Sequence, residues 1–416
     1  MFLCSFLAIK LSRFLKVNVS FVFISFWLFY EELHQIWYIS WPWLSLGNIF
    51  LPIKFYHQFY KLFGSQSGTI VILIFNYLIY QFFKVSIKRK IKIMFKLVSF
   101  LSIIIGYGFY DSTYNQIIIN NYIKTKAFLP NKIYTHTSKE DYGFIDSALL
   151  KDRILNNNAL IIMPENSLED NIWNGFLKDS KVINTLIKRI QIEKSSGFIF
   201  GTVIKSDRRT DKGLNNHFDR NFKISYSEFG SSIFLDSTGN TQVHLKRKLV
   251  PKEEYLPSIF KETTLRSSKL THGFDYNNIR FKNCNLVSLI CYESFFGENV
   301  AKCVQDSGEA IIMIANQQIF PFNHADEFYT NICKIRAIEN SKFFLKVSNM
   351  GISCLINPFG DIVKQNDLKK ASILSTELPL TKTQTFYTKY AFYIHWIYLL
   401  QPLLLIFIIS ACVKRK

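Results

Sequence analysis

The run Leu289-Ile290-Cys291-Tyr292-Glu293-Ser294 ends an apolar stretch on a thiol. Its pattern is that of a buried strand that delivers one cysteine to a loop. A cysteine attacks a carbonyl carbon only as thiolate, so it needs a base or a positive neighbour. Two other positions could supply these. Glu165 follows the short apolar run 159–163 and Pro164, and strand ends are where α/β sheets place reactive groups. Lys246 stands in His244-Leu245-Lys246-Arg247-Lys248-Leu249-Val250-Pro251. Taken singly, each has an ordinary reading: a solvated loop carboxylate, one member of a basic cluster, a small buried side chain. Taken together, a carboxylate, an ammonium and a thiol make a base, an oxyanion partner and a nucleophile.

The elements that must hold these groups are legible as a pattern. Short apolar runs recur at 159–163, 197–203, 231–236, 286–291, 310–315, 343–347 and 352–356. Runs of about 4–8 residues bounded by polar clusters argue strands. Helices are expected at 171–192, 296–306 and 324–341, the last with Phe328, Ile332, Ile335 and Ile338 on one face. Such alternation implies a sheet covered by helices. The seven cysteines show no CxxC spacing, which argues against a disulfide framework or a zinc site. The net charge is +19, from 50 Lys+Arg against 31 Asp+Glu. Much of it lies beside apolar spans, which fits lipid contact and membrane topology and gives no nucleic-acid motif.

Four apolar runs, near 17–34, 68–83, 94–111 and 390–412, read as membrane spans, which need about 20 mostly apolar residues. The piece 1–9 reads as half a helix or an in-plane segment. No small-residue cleavage site follows either early run, so no cleaved signal peptide is expected. Three basic clusters fall on one side if the spans alternate: Lys10, Arg13 and Lys16; the stretch 84–96; and Lys414-Arg415-Lys416. Basic clusters favour the cytoplasm. The loop 31–67 and the segment 111–389 then face outward. The expected organisation is an N-terminal membrane region at 1–111, a catalytic domain at 112–389, and a C-terminal helix with a basic tail at 390–416.

Three segments resemble motifs of the bacterial apolipoprotein N-acyltransferases, membrane enzymes with a nitrilase-like (carbon–nitrogen hydrolase) domain. Met163-Pro164-Glu165-Asn166-Ser167 resembles their WPES-type motif. The stretch 244–257 resembles YxKxxLVPFGEYVP, and 289–298 resembles ICYExxFGE. Asn316, Arg336-Ala337-Ile338-Glu339 and Ser348-Asn349-Met350-Gly351 extend the likeness, and Trp41-Pro42-Trp43-Leu44-Ser45-Leu46-Gly47-Asn48 resembles the family's PWLxLG loop. Met163 stands where the family has Trp, Glu253 where it has Gly, and Gln317-Gln318-Ile319-Phe320 where a Trp is usual. Family members usually begin with more membrane helices, so the N-terminal region looks shortened.

The resemblance implies an α/β fold, a nitrilase-like α-β-β-α sandwich inserted in a small α-helical transmembrane bundle. It implies Glu165 as general base, Lys246 as oxyanion and thiolate partner, and Cys291 as nucleophile. Glu254 and Glu293 match acidic positions and are placed as supporting residues; Tyr292 would line the site. The implied reaction is ping-pong acyl transfer from a phospholipid, through a Cys291 thioester, to the α-amine of a lipid-modified apolipoprotein. Neither metal nor cofactor is called for. The implied location is the bacterial inner membrane, multi-pass, with the catalytic domain on the periplasmic side. Two other readings stay open: a membrane-tethered nitrilase-type amidase acting on a small amide, and a non-catalytic membrane protein of the lipoprotein pathway.

Overall fold

The computed structural model describes residues 2–37, 39–51, 53, 56, 58–114, 117–129, 159–168, 172–192, 197–207, 217–219, 224–255, 270–317, 323–366 and 372–413. The tail Lys414-Arg415-Lys416 and Gln318, Ile319 and Phe320 lie outside these.

Period-2 burial builds the central layers. In β2 (Leu160–Ile162), Leu160 and Ile162 point into one core while Ile161 joins a second. In β4 (Gly197–Asp207), Ile199 faces the first core and Phe198 and Phe200 the second. These strands belong to an eight-stranded sheet whose main path also contains β1 (Asn121–Leu129), β5 (His217–Asp219), β6 (Ile224–Asp236) and β14 (Ser372–Leu380). β3 (Ile172–Trp173) and β7 (Thr241–Leu245) pair at its margin. A six-stranded sheet runs β13 (Ile362–Gln365), β12 (Cys354–Ile356), β11 (Phe344–Ser348), β10 (Ala310–Ala315), β9 (Cys284–Ile290), β8 (Ile279–Phe281). Its centre, β9-β10-β11, is parallel. All six residues of β10 are buried, as a parallel strand covered on both faces requires.

The first core lies between the two sheets, joining Leu160, Ile199 and Phe234 to Leu286, Ile312 and Val347. The second lies under α5 (Lys181–Ile192), through Ile183, Leu186 and Ile190. On the far side, α6 (Gly297–Gln305) and α7 (Asn323–Asn340) cover the six-stranded sheet. The order is helix, sheet, sheet, helix, as expected. One expected element is corrected. The helix placed at 171–192 begins only at Lys181: Ile172 and Trp173 pair with β4, and Gly175 turns the chain at φ +92°. Asn171 lies outside the described residues.

The remaining long helices among the described residues are α1 (Phe2–Leu15), α2 (Val19–Ile36), α3 (Gln66–Lys84), α4 (Ile87–Tyr114) and α8 (Phe386–Val413). Among the described residues three helices are long and apolar enough to cross a membrane: Gln66–Lys84, Ile87–Asp111 and Phe386–Phe407. α2 is less apolar, because Glu31, Glu32 and His34 stand in its last two turns. A polar seam ties these helices to the sandwich. His395 of α8 bonds Glu32 at 2.6 Å and the Tyr387 hydroxyl at 2.8 Å. The Ser65 N–H donates to Glu339 at 2.7 Å, and Lys248 Nζ donates to the Gln35 carbonyl near the end of α2 at 3.3 Å.

Candidate active site

Three strand ends converge. Glu165 leaves β2 through Met163-Pro164 and is 6 % exposed. Its loop lies against β4, where Gly201 leaves room: a Cβ there would fall 2.5 Å from the Glu165 Cα. Lys246 follows β7 and is 1 % exposed. Its backbone is fixed on both sides, by its N–H to Gly230 and by the Gly273 N–H to its carbonyl, each at 2.8 Å. Cys291 follows β9, opens a 3₁₀ turn (Cys291–Phe295), and sits at φ +45°. A non-glycine residue in this left-handed region is uncommon, and such strain clusters at functional sites.

The side chains meet. Lys246 Nζ donates to Glu165 Oε1 at 2.8 Å and to Glu254 Oε1 at 2.5 Å. The Asn316 N–H donates to Glu165 Oε2 at 2.9 Å. Asn349 holds that peptide in turn: its amide donates to Asn316 Oδ1 at 2.7 Å and accepts from the Gln317 N–H at 3.1 Å. Burial works against the charge of Lys246, but Glu165, Glu254 and the thiol hold its pKa well above the ordinary lysine value. Burial pushes Glu165 up, opposed by Lys246. The Cys291 thiol is pushed up to about 12, by burial first and by the Glu165 charge second, with Lys246 opposing. The thiol at rest is therefore neutral, with the Glu165 carboxyl group and the Lys246 ammonium beside it. Such an arrangement can pass a proton from sulfur to a carboxylate.

The supporting positions separate into two roles. Glu254 accepts from Lys246 and from the Val250 N–H, so it touches the ammonium directly. Glu293, fully buried, does not. It accepts from His244 Nε2 (2.9 Å), the Arg247 N–H (2.9 Å) and the Ile290 N–H (2.8 Å). Those residues flank Lys246 on one strand end and Cys291 on the other, so Glu293 staples the two together. Burial opposes its charge, yet His244 and Arg247 hold its pKa down at about 2. Tyr292 is turned toward the loop that follows α2: its hydroxyl donates to the Ser40 carbonyl at 2.9 Å and its ring stands 6.4 Å from Trp41.

The staple sets a pH expectation. A folded value near 2 lies below the ordinary 4.5, so the stabilisation is full above about pH 4.5 and is lost as pH falls toward 2. Glu293→Gln should cost about 3 kcal/mol near neutral pH, read from the unfolding midpoint in detergent. The gap to the wild type should narrow below about pH 4. A gap that stays constant from pH 7 to about 3 would contradict the staple.

Two features of the site gave no sequence signal. Tyr329 of α7 has a buried hydroxyl that donates to Met313 Sδ at 3.6 Å and lies within hydrogen-bonding reach of Ser294 and Cys291. An aromatic residue on a helix reads as core. His244 likewise reads as part of a basic run, yet it is buried against Glu293.

Residues 219–387, which include Lys246, Glu254 and Cys291, match the family model for carbon–nitrogen hydrolases. That segment is similar to the carbon–nitrogen hydrolases. Over its length the chain is similar to bacterial apolipoprotein N-acyltransferases. That of Wigglesworthia glossinidia brevipalpis is 26% identical over 371 residues, 85% of this chain and 68% of the relative. That of Rickettsia prowazekii (strain Madrid E) is 24% identical over 391 residues, 89% of this chain and 72% of the relative. Among solved structures, Saccharomyces cerevisiae Nit3 of the nitrilase superfamily aligns with 64% of this chain and 92% of its own, at 17% identity and a TM-score of 0.43. Glu165 lies upstream of the matched carbon–nitrogen hydrolase segment and is brought to it by the pairing of β2 with β4 and of β4 with β6.

Proposed function

We propose that this chain is a membrane N-acyltransferase that moves an acyl chain from a phospholipid to the α-amine of a lipid-modified N-terminal cysteine of an apolipoprotein. The observation that carries the reading is the meeting of Glu165, Lys246 and Cys291 at the strand ends of a chain similar to apolipoprotein N-acyltransferases. The membrane-long helices support a lipid substrate.

In the first half-reaction Glu165 takes the thiol proton as sulfur attacks the ester carbonyl carbon. The C=O electron pair moves to oxygen, and the Lys246 ammonium stabilises the oxyanion. The tetrahedral species collapses to a thioester, and the departing lysophospholipid oxygen takes the proton back from Glu165. In the second half the amine attacks the thioester and loses a proton to Glu165. The thiolate leaves and recovers that proton. Holding both lipid-anchored reactants at one surface turns a three-dimensional search into a local one. In this reading the domain lies on the outer side of the cytoplasmic membrane, where such acceptors emerge; the basic residues where Gln66–Lys84 meets Ile87–Asp111 support that side.

Purified protein in mixed micelles, given phospholipid and a diacylglyceryl-cysteine peptide with a free amine, should add one acyl group to that amine, read by mass. Capping the amine beforehand should stop it. An unmodified peptide, together with release of ammonia from a small amide, would replace this reading with the amidase.

A further inference from the structure

Between the membrane helices and the Cys291 turn lies a segment that the proposed chemistry does not use: the 3₁₀ turns Pro42–Leu44 and Leu46–Phe50. Trp43 stacks on Phe295 of the cysteine turn with ring centres 4.6 Å apart, and on Phe328 of α7 at 5.6 Å. Trp41 stacks on Trp43 at 5.8 Å, and Ser40 accepts the Tyr292 hydroxyl. The segment thus stacks a wall of aromatic rings against the turn that carries the thiol. Its outer side exposes Trp41, Leu44 and Ile49.

One carboxylate holds this wall. Glu31, 7 % exposed at the end of α2, accepts four hydrogen bonds. Oε1 takes the Trp27 indole N–H (3.0 Å) and the Leu46 N–H (2.9 Å). Oε2 takes the Ser45 hydroxyl (3.0 Å) and the Thr69 hydroxyl (2.6 Å). Thr69 in turn accepts the Gly47 N–H at 2.9 Å. Gly47 lies so close to α3 that a Cβ would fall 1.8 Å from the Ser65 carbonyl oxygen. A buried carboxylate is costly unless it is hydrogen-bonded, and the four bonds of Glu31 go to the wall (Ser45, Leu46), to α3 (Thr69) and to its own helix (Trp27).

We propose that Glu31 is a positioning residue that sets the Trp41–Trp43 wall against the Cys291 turn, so that the wall receives the donor's acyl chain. The inference rests on the acyl-transfer reading and adds to it the residue that shapes the donor site. Glu31 touches no reacting atom, so its loss weakens donor binding and spares the chemistry.

Three variants test this in mixed micelles. Glu31→Ala should raise KM for phospholipid about tenfold, the loss expected when roughly two CH₂ groups lose their apolar contact. The saturating rate should stay within about twofold, and alkylation of Cys291 by iodoacetamide should not slow. Glu31→Gln should restore KM to within about threefold of wild type, because its carbonyl keeps the two N–H donors and the hydroxyls can turn to accept from its amide. Trp43→Ala should raise KM as Glu31→Ala does, and the double variant should go no higher. If Glu31→Ala does not accumulate, Ser45→Ala with Thr69→Val removes both donors to Oε2 and should give about a threefold rise. An unchanged KM in either variant overturns the proposal. So does a parallel fall of turnover and alkylation, which would mark a merely structural residue. A wild type that gains no acyl group overturns the acyl-transfer reading and this inference with it; a working wild type with an unmoved KM in the variants overturns this inference alone.

Discussion

Cys291→Ala is expected to abolish acyl transfer, leaving no acyl-enzyme and no N-acylated peptide. The sulfur is the atom on which the acyl chain would rest between donor and acceptor. Among the described residues, the polar groups around it are arranged to take its proton or to balance charge. Glu165 and Glu254 share the Lys246 ammonium, and Glu293 is spent on His244, Arg247 and the Ile290 N–H. A direct attack of the amine on the ester would lose the two-step route that covalent catalysis provides. The fold should survive the change, because alanine tolerates burial and the thiol holds no strand in place. The check is turnover together with an unfolding midpoint near that of wild type. Transfer within tenfold of wild type would rule the mechanism out.

Lys246→Ala is the second large effect, and it should act on rate and stability together. Losing an oxyanion partner costs about 10²–10³-fold in rate. The change also leaves Glu165 and Glu254 facing each other in a buried site without the cation between them. Removing one member of a buried pair costs about 3–5 kcal/mol, and one of the two carboxyls should then take up a proton. A protonated Glu165 cannot serve as base, so the combined loss in acyl-enzyme formation should exceed about 10³-fold. Single-turnover kinetics on freshly prepared variant check this. A loss below about tenfold would remove Lys246 from the chemistry.

How much of this was legible in the sequence follows from the range of the interactions. β10 was readable residue for residue, because a strand buried on both faces is an unbroken apolar run. The nine-residue pair β1–β14 was missed. Lys124 and Lys126 interrupt β1, and only the alternating burial of Ile123, Thr125 and Ala127 marks it. β11 carries Lys346 in its middle, fully buried because Asp326 meets it at 2.7 Å from a helix 20 residues upstream. The site residues came from motif likeness, since spacing alone cannot tell that Lys246 reaches across 81 positions to Glu165. Glu31 gave no signal. An acid near a helix end reads as solvated, and its role appears only when the loop folds back onto it.

The most direct test of the account is the chemical state of Cys291 after exposure to donor alone. Wild-type protein incubated with a phospholipid of defined acyl chain, without acceptor, should gain the mass of one acyl group in place of one hydrogen. The label should sit on the peptide containing Cys291 and be released by neutral hydroxylamine, as a thioester is. Added acceptor amine should discharge it. A protein whose mass does not change, or that carries the acyl group on another residue or in a hydroxylamine-stable bond, would contradict the account.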